Sequence, residues 1–496
     1  MPSLLVDVPP AVAHCQNLIG GRWTSAQRAS AARDVVSPYT GAVVGRVELS
    51  GAADVDAAVT AARGALAGWA AMPLKERSRP LFRFRELLLR HLDELANGAA
   101  LEAGKTRGEA KAGLEKGIEV VEFALALQNL NEGAALEVSR GVRCEGRREP
   151  LGVVAGITPF NFPAMVPLWM FPIAVTVGNA FILKPSEKVP LTARRLGALM
   201  LEAGYPAGVF SIVNGDKEAA MALADQPDIA AIAFVGSTAA ARAIYTRATA
   251  QGKRALCLGG AKNHILVVPD ADPEITVRGV VDSFTGCAGQ RCMASSALLA
   301  VGPVDDLVEK IVARAASIKL GPGMGAIIER AARDRIVGAI DRAEADGAKI
   351  ALDGRRPSPP AGYESGHWLG PTVIDRARPD MECARAELFG PVLTVIRVSN
   401  LDEALAIEAQ SPYGNATSVF TTSGAVARLV SERATSGMVG INVGVPVPRE
   451  PFSFGGAKDS KFGAGDITGR PGVEFWTRWK KVTTKWDLQP DATWMS

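Results

Sequence analysis

The chain has 496 residues, 48% of them hydrophobic and 22% charged, with a formal net charge of +3. That length allows two or three packed domains, and the composition is globular rather than disordered. So small a net charge, without any Lys/Arg run, leaves no electrostatic footprint for nucleic acid.

Residues 17 to 50 read as short strands and turns, around Ile19-Gly-Gly-Arg-Trp23 and Ser37-Pro-Tyr-Thr-Gly41. From about Asp54 to Leu127 the pattern is helical, with Leu81, Phe84, Leu88 and Leu92 at three-to-four spacing. Residues 135 to 149 alternate Val138, Val142 and Cys144 with polar partners, as an exposed hairpin does. Apolar strands then alternate with helices: Gly152–Ile157, Ala180–Leu183, Val209–Val213 and Ile229–Val235, with a helix over Leu191–Ala203. Residues 264 to 440 repeat the theme, with strands near Ile265, Ser296, Lys349, Leu393 and Thr417, and a tail follows Gly440. Such alternation predicts α/β domains built on parallel sheets covered on both faces.

The segment Phe160–Phe181 is the most apolar, but Asn161, Pro163, Pro167 and Pro172 interrupt it, so no membrane span is expected. The N-terminus has no basic n-region and carries Asp7, unlike a signal or transit peptide. Six cysteines (Cys15, Cys144, Cys257, Cys287, Cys292 and Cys383) lack CxxC spacing, and His14, His91, His264 and His367 lack metal-ligand spacing. A reducing compartment, the cytoplasm, is expected, with no metal site.

The chemistry concentrates around Phe284-Thr-Gly-Cys-Ala-Gly-Gln-Arg-Cys292. A thiol beside a guanidinium has a lowered pKa, which suits Cys292 as a nucleophile; the alternative is an inert core thiol. After the first βα strand stands Thr158-Pro-Phe160-Asn161, where an asparagine amide either donates to an oxyanion or simply closes a turn. The next strand ends Lys184-Pro-Ser-Glu187, placed to bind ribose hydroxyls, and Glu187 would repel a 2′-phosphate. Phe234-Val-Gly236-Ser237-Thr238 is a small-residue turn opening a helix, suited to a pyrophosphate, although no GxGxxG is present.

With Pro159-Phe-Asn-Phe-Pro163, Glu387-Leu-Phe389-Gly-Pro391 and Asn442, these motifs stand in the order found in the aldehyde dehydrogenase superfamily, which the chain resembles over nearly its whole length. The resemblance implies an α/β fold with two Rossmann-like domains and a small β oligomerisation element. It places NAD binding in 1–127 and 149–258, oligomerisation in 128–148 and 470–496, and catalysis in 259–469. It implies that Cys292 attacks the aldehyde carbon and that Asn161, with the Cys292 N–H, stabilises the oxyanion. Thr158, Phe160, Lys184, Glu187, Gly236, Ser237, Glu387 and Phe389 would hold NAD. A homo-oligomer, dimer or tetramer, is implied, with no nucleic acid or membrane partner.

Hydrolytic members carry a glutamate in Leu-Glu-Leu-Gly-Gly-Lys to activate water. Here the run is Leu256-Cys-Leu-Gly-Gly-Ala-Lys262-Asn-His264, and the base is replaced by Cys257 or Leu258. Ala261-Lys-Asn-His264, Gly289-Gln-Arg-Cys-Met-Ala294 and the tail (Pro446-Val-Pro, Phe452-Ser-Phe454, Gly472-Val-Glu-Phe-Trp476) resemble the CoA-acylating methylmalonate-semialdehyde dehydrogenases. That resemblance implies that coenzyme A accepts the acyl group from malonate or methylmalonate semialdehyde, giving acetyl-CoA or propionyl-CoA. Arg291 would grip the substrate carboxylate. The family's second arginine is replaced by Lys116, which keeps the charge but not the bidentate fork. The alternative is a hydrolytic enzyme that releases the free acid of another aldehyde.

Overall fold

The computed structural model describes residues 5–8, 11–27 and 31–486. Residues 487–496 of the segment expected to complete the oligomerisation element lie outside the described residues.

The helical stretch resolves into Ala52–Ala71, Leu74–Arg90, Leu92–Ala103 and Arg107–Leu130. Leu81, Phe84 and Leu88 are fully buried, so the spacing read from the sequence is the core-facing stripe. Gly104, left-handed at φ 75°, ends the third helix. Two residues later Thr106 caps the fourth, accepting from Glu109 N while the Glu109 carboxylate accepts from Thr106 N. The apolar run after Phe160 becomes the 12-residue helix Met165–Thr176, with every residue buried. At 1.5 Å per residue it is a core helix, too short for a bilayer. Among the described residues no helix is long and apolar enough to cross a membrane.

Two large sheets carry the molecule. The first has eight strands in the spatial order Lys461–Phe462, Arg254–Leu258, Ile229–Val235, Val153–Ile157, Ala180–Lys184, Phe210–Ile212, Asn17–Ile19, Arg22–Thr24. The five from Arg254–Leu258 to Phe210–Ile212 run parallel, and antiparallel pairs close both edges. Val153–Ile157 and Ala180–Lys184 are buried at every position, as strands covered on both faces must be. The second sheet has seven strands in the order Lys349–Leu352, Thr372–Asp375, Val392–Val398, Ser295–Val301, Asn263–Val267, Ala416–Phe420, Met438–Ile441, all parallel except the first. A third, antiparallel sheet joins Ala134–Ser139 and Val142–Pro150 to Thr477–Lys485.

The edge strand Lys461–Phe462 crosses from the far part of the chain to pair with Cys257 and Leu258. It brings the C-terminal segment onto the first sheet beside the double glycine Gly259-Gly260. The strand Met438–Ile441 carries Gly440, so the second sheet runs into the segment that the sequence reads as tail.

Candidate active site

Parallel strands of the first sheet end at a cleft of about 570 Å³. Ligands of open α/β sheets bind at this end. Thr158 and Phe160 follow Val153–Ile157, Lys184 ends Ala180–Lys184 with Glu187 beyond it, and Gly236 and Ser237 follow Ile229–Val235; all six line the cleft. Asn161, Cys292, Glu387 and Phe389 line it too, so all ten residues assigned to catalysis or cofactor binding face one space.

Each is fixed differently. Thr158 N donates to the Lys184 carbonyl at 3.1 Å, tying the two strand ends together. The Lys184 ammonium is buried; it donates to Pro185 O at 2.8 Å and to Gly215 O, and burial pushes its pKa down. Glu187 lies 3.9 Å from that ammonium and 3.6 Å from Arg33. Ser237 precedes the helix Thr238–Ala250 without a side-chain cap bond, leaving first-turn N–H groups available to an anion.

Glu387 is half-buried and accepts from Ala261 N at 3.0 Å. Burial raises its pKa to about 7, against the pull of Lys262 and Arg335. Lys262 is itself buried without a hydrogen-bond partner, which pushes it down to about 8. Phe389 is left-handed at φ 58° and meets Phe160 edge-on at 5.8 Å, so two aromatic rings flank the same part of the cleft.

The nucleophile loop follows the helix Pro273–Thr285. Cys287, Ala288 and Gly289 all have positive φ, 53°, 52° and 69°. For the two non-glycine residues this costs about 1–2 kcal/mol each, so the surroundings must impose it. They do so from two sides. Glu109 Oε1 accepts from Cys287 N at 2.5 Å, and Gly289 packs against the Gly390 backbone so closely that a Cβ would collide with it. Beyond the turn, Asn263 and Asn415 donate to the Cys292 carbonyl at 2.7 and 2.9 Å. Asn161 Nδ2 donates to Gln290 O at 3.0 Å; an amide nitrogen has two N–H groups, and the second is free for another acceptor.

The expectation that Arg291 acidifies Cys292 is overturned. Burial, reinforced by the nearby Glu387 charge, pushes the thiol up to about 12, and Arg291 and Lys105 offset this only in part. The cause is geometric: the Arg291 guanidinium turns back onto the Asp282 and Ser283 carbonyls, filling the space above Gly286.

Cys292 also lines a second cavity, of about 530 Å³, with Phe162, Trp169, Val445 and Phe454 among its apolar walls. Arg291 and Lys116 both line it, which brings the two cations expected at a substrate carboxylate to one space. Neither is unencumbered. Arg291 is held by the helix carbonyls, and Lys116 Nζ pairs with Glu119 and Glu450, both at 2.8 Å.

Where hydrolytic relatives hold their glutamate, Cys257 and Leu258 are buried in the strand Arg254–Leu258. Burial holds the Cys257 thiol up at about 12, far from use as a base at neutral pH. His264, on the next strand, is fully buried and lowered to about 4 by burial, hence neutral. Asn442, also left-handed, exchanges two hydrogen bonds with the Thr421 backbone and closes a turn at the end of the second sheet.

Glu109, Asn263 and Asn415 are absent from the residues singled out in the sequence. The Thr106–Glu109 capping box is a local feature, but the second duty of Glu109, accepting the Cys287 N–H, depends on a contact 178 residues away. Nothing local marks Asn415.

The model of the aldehyde dehydrogenase family matches residues 23–482. A malonate-semialdehyde dehydrogenase of Geobacillus thermodenitrificans is 43% identical over 95% of this chain and 98% of its own length. The mitochondrial acylating methylmalonate-semialdehyde dehydrogenase of Arabidopsis thaliana is 44% identical over 98% of this chain and 80% of its own. Among solved structures, a Sinorhizobium meliloti chain, assigned as a methylmalonate-semialdehyde dehydrogenase and complexed with NAD, superposes with a TM-score of 0.94 at 40% identity. It covers 98% of this chain, which in turn spans 100% of it.

Proposed function

The chain belongs to the aldehyde dehydrogenase family, and from that premise we propose that it oxidises malonate or methylmalonate semialdehyde and transfers the acyl group from Cys292 to coenzyme A. The observation that carries the CoA reading is the strand end at Cys257 and Leu258, whose buried side chains offer no carboxylate in the place of the hydrolytic glutamate.

NAD fits the cleft. The open first turn at Ser237 suits a pyrophosphate, Glu187 suits ribose hydroxyls, and Phe160 and Phe389 give the cleft an aromatic wall. When bound there, NAD supplies the hydride acceptor. Thr158, Lys184 and Gly236 complete the wall around it, and Glu387 holds the second ribose.

Cys292 Sγ forms a bond to the aldehyde carbon as its thiol proton is lost. Asn161 Nδ2 and the Cys292 N–H donate to the oxygen that gains charge. Collapse of the adduct expels hydride and leaves a thioester on Cys292. Arg291, with Lys116, orients the substrate carboxylate. Its bond to the α-carbon then breaks, one water converts the carboxyl group to bicarbonate and gives the α-carbon a proton, and an acetyl or propionyl thioester remains. The CoA thiol then displaces Cys292, giving acetyl-CoA or propionyl-CoA. In this reading residues 1–127 and 149–258 bind the cofactor and 259–469 carry catalysis. The sheet of Ala134–Ser139, Val142–Pro150 and Thr477–Lys485 serves assembly into a dimer or tetramer. Leu136, Val138, Trp479 and Val482 are exposed on it, apolar surface that a second copy would cover. The six cysteines are all free thiols, in keeping with a cytoplasmic enzyme.

Intact-mass measurement after mixing the protein with NAD and semialdehyde tests the reading. An acyl adduct that CoA removes, and that Cys292→Ala lacks, is expected; an adduct that water discharges at the same rate supports hydrolysis instead.

A further inference from the structure

Lys116 has the type and place of a carboxylate-binding cation, yet the structure gives it partners of its own. Its Nζ lies 2.8 Å from Glu450 Oε2 and 2.8 Å from Glu119 Oε2. Glu119 pairs in turn with Arg449 at 3.2 Å. Two cations and two carboxylates therefore form a neutral chain beside the cavity that holds Cys292. The Lys116–Glu450 contact is its sheltered part, with side chains 16% and 10% exposed. An ammonium has three N–H donors, and this one has two committed.

We propose that Glu450 is a specificity-determining residue, a built-in competitor that an incoming substrate carboxylate must displace from Lys116. The inference rests on the functional reading above, because it takes the Arg291–Lys116 cavity as the aldehyde site. A third carboxylate entering this chain meets Glu450 across the same ammonium, and like charges around one cation oppose each other. An aldehyde with an uncharged tail meets no such competition. Glu450 thus narrows the preference for carboxylated semialdehydes over plain aldehydes of similar size.

The test compares kcat/KM for malonate semialdehyde and for propanal, with NAD and CoA, in the wild-type chain, E450Q and K116M/E450Q. Glu450→Gln is expected to raise the malonate semialdehyde to propanal ratio about fivefold, the scale of one partly sheltered ion pair. The double variant is expected to return the ratio to the wild-type value or below. Protection of Cys292 from iodoacetamide by malonate needs no turnover, and it is expected to tighten in E450Q by the same factor. An unchanged or lower ratio and unchanged protection in E450Q overturn the inference, as does a gain that survives Lys116→Met. Failure of the parent reading looks different: NADH forms steadily without CoA in every variant, whatever the substrate ratio.

Discussion

The side-chain amide of Asn263 donates to the carbonyl oxygen of Cys292 at 2.7 Å, binding the nucleophile's backbone to a strand of the second sheet. The same nitrogen donates to Ala294 O at 3.0 Å, and its Oδ1 accepts from Ala416 N at 3.0 Å. One buried residue therefore sets the register of the loop against two strands. Asn263→Ala takes this partner from Ala294 O and Ala416 N, while Cys292 O keeps Asn415, with an expected destabilisation of about 2 kcal/mol in denaturant unfolding. Loss of positioning is expected to lower kcat/KM about 100-fold. A variant with native kcat/KM would remove Asn263 from this account.

Asn161 is held by one N–H to Gln290 O, so its amide is aimed before substrate arrives. Asn161→Ala is expected to reduce kcat by about 100- to 1,000-fold, the usual effect of deleting one oxyanion donor. KM should change much less, and a defect confined to KM would reassign the residue to substrate binding.

The Cys292 thiol, pushed up to about 12 by burial and Glu387, should stay protonated at neutral pH in the cofactor-free protein. Alkylation of Cys292 by iodoacetamide is expected to accelerate about tenfold per pH unit from pH 7 to 9, following the thiolate fraction. A plateau below pH 8 would show that the thiol is already ionised.

Glu387 stands near 7, above the value of about 4.3 for a free glutamate. Between those values the folded chain keeps a proton that the unfolded chain has lost. Stability therefore falls as pH rises from about 4 to 7 and levels off beyond, at a cost of up to about 3 kcal/mol. Glu387→Gln removes that fall. In cofactor-free thermal melts the variant is expected to match the wild type at pH 4 and exceed it at pH 8. The opposite order at pH 8 would mean that the carboxylate is stabilised when charged.

The strands and the helical stripe were legible because their signals are local: continuous apolar runs such as Ile229–Val235, and spacing such as Leu81, Phe84, Leu88. Cofactor-cleft residues shared a second local mark, since Thr158, Lys184 and Gly236 each sit at or just past the end of a buried parallel strand. What stayed hidden depends on distant contacts. Lys116 and Glu450 are 334 residues apart, and nothing near either announces the pair. The left-handed Cys287-Ala288 turn opposes the intrinsic preference of both residues and exists because Glu109 and Gly390 hold it. The direction of the Arg291 side chain, set by carbonyls at the end of the preceding helix, was equally invisible.

The central claim is that coenzyme A, not water, releases the acyl group from Cys292. Its most direct test follows NADH formation from malonate semialdehyde and NAD with and without CoA. The account expects sustained turnover with CoA and, without it, a burst of about one equivalent per active site followed by near silence. Sustained NADH formation without CoA, with free acid as product, would contradict it.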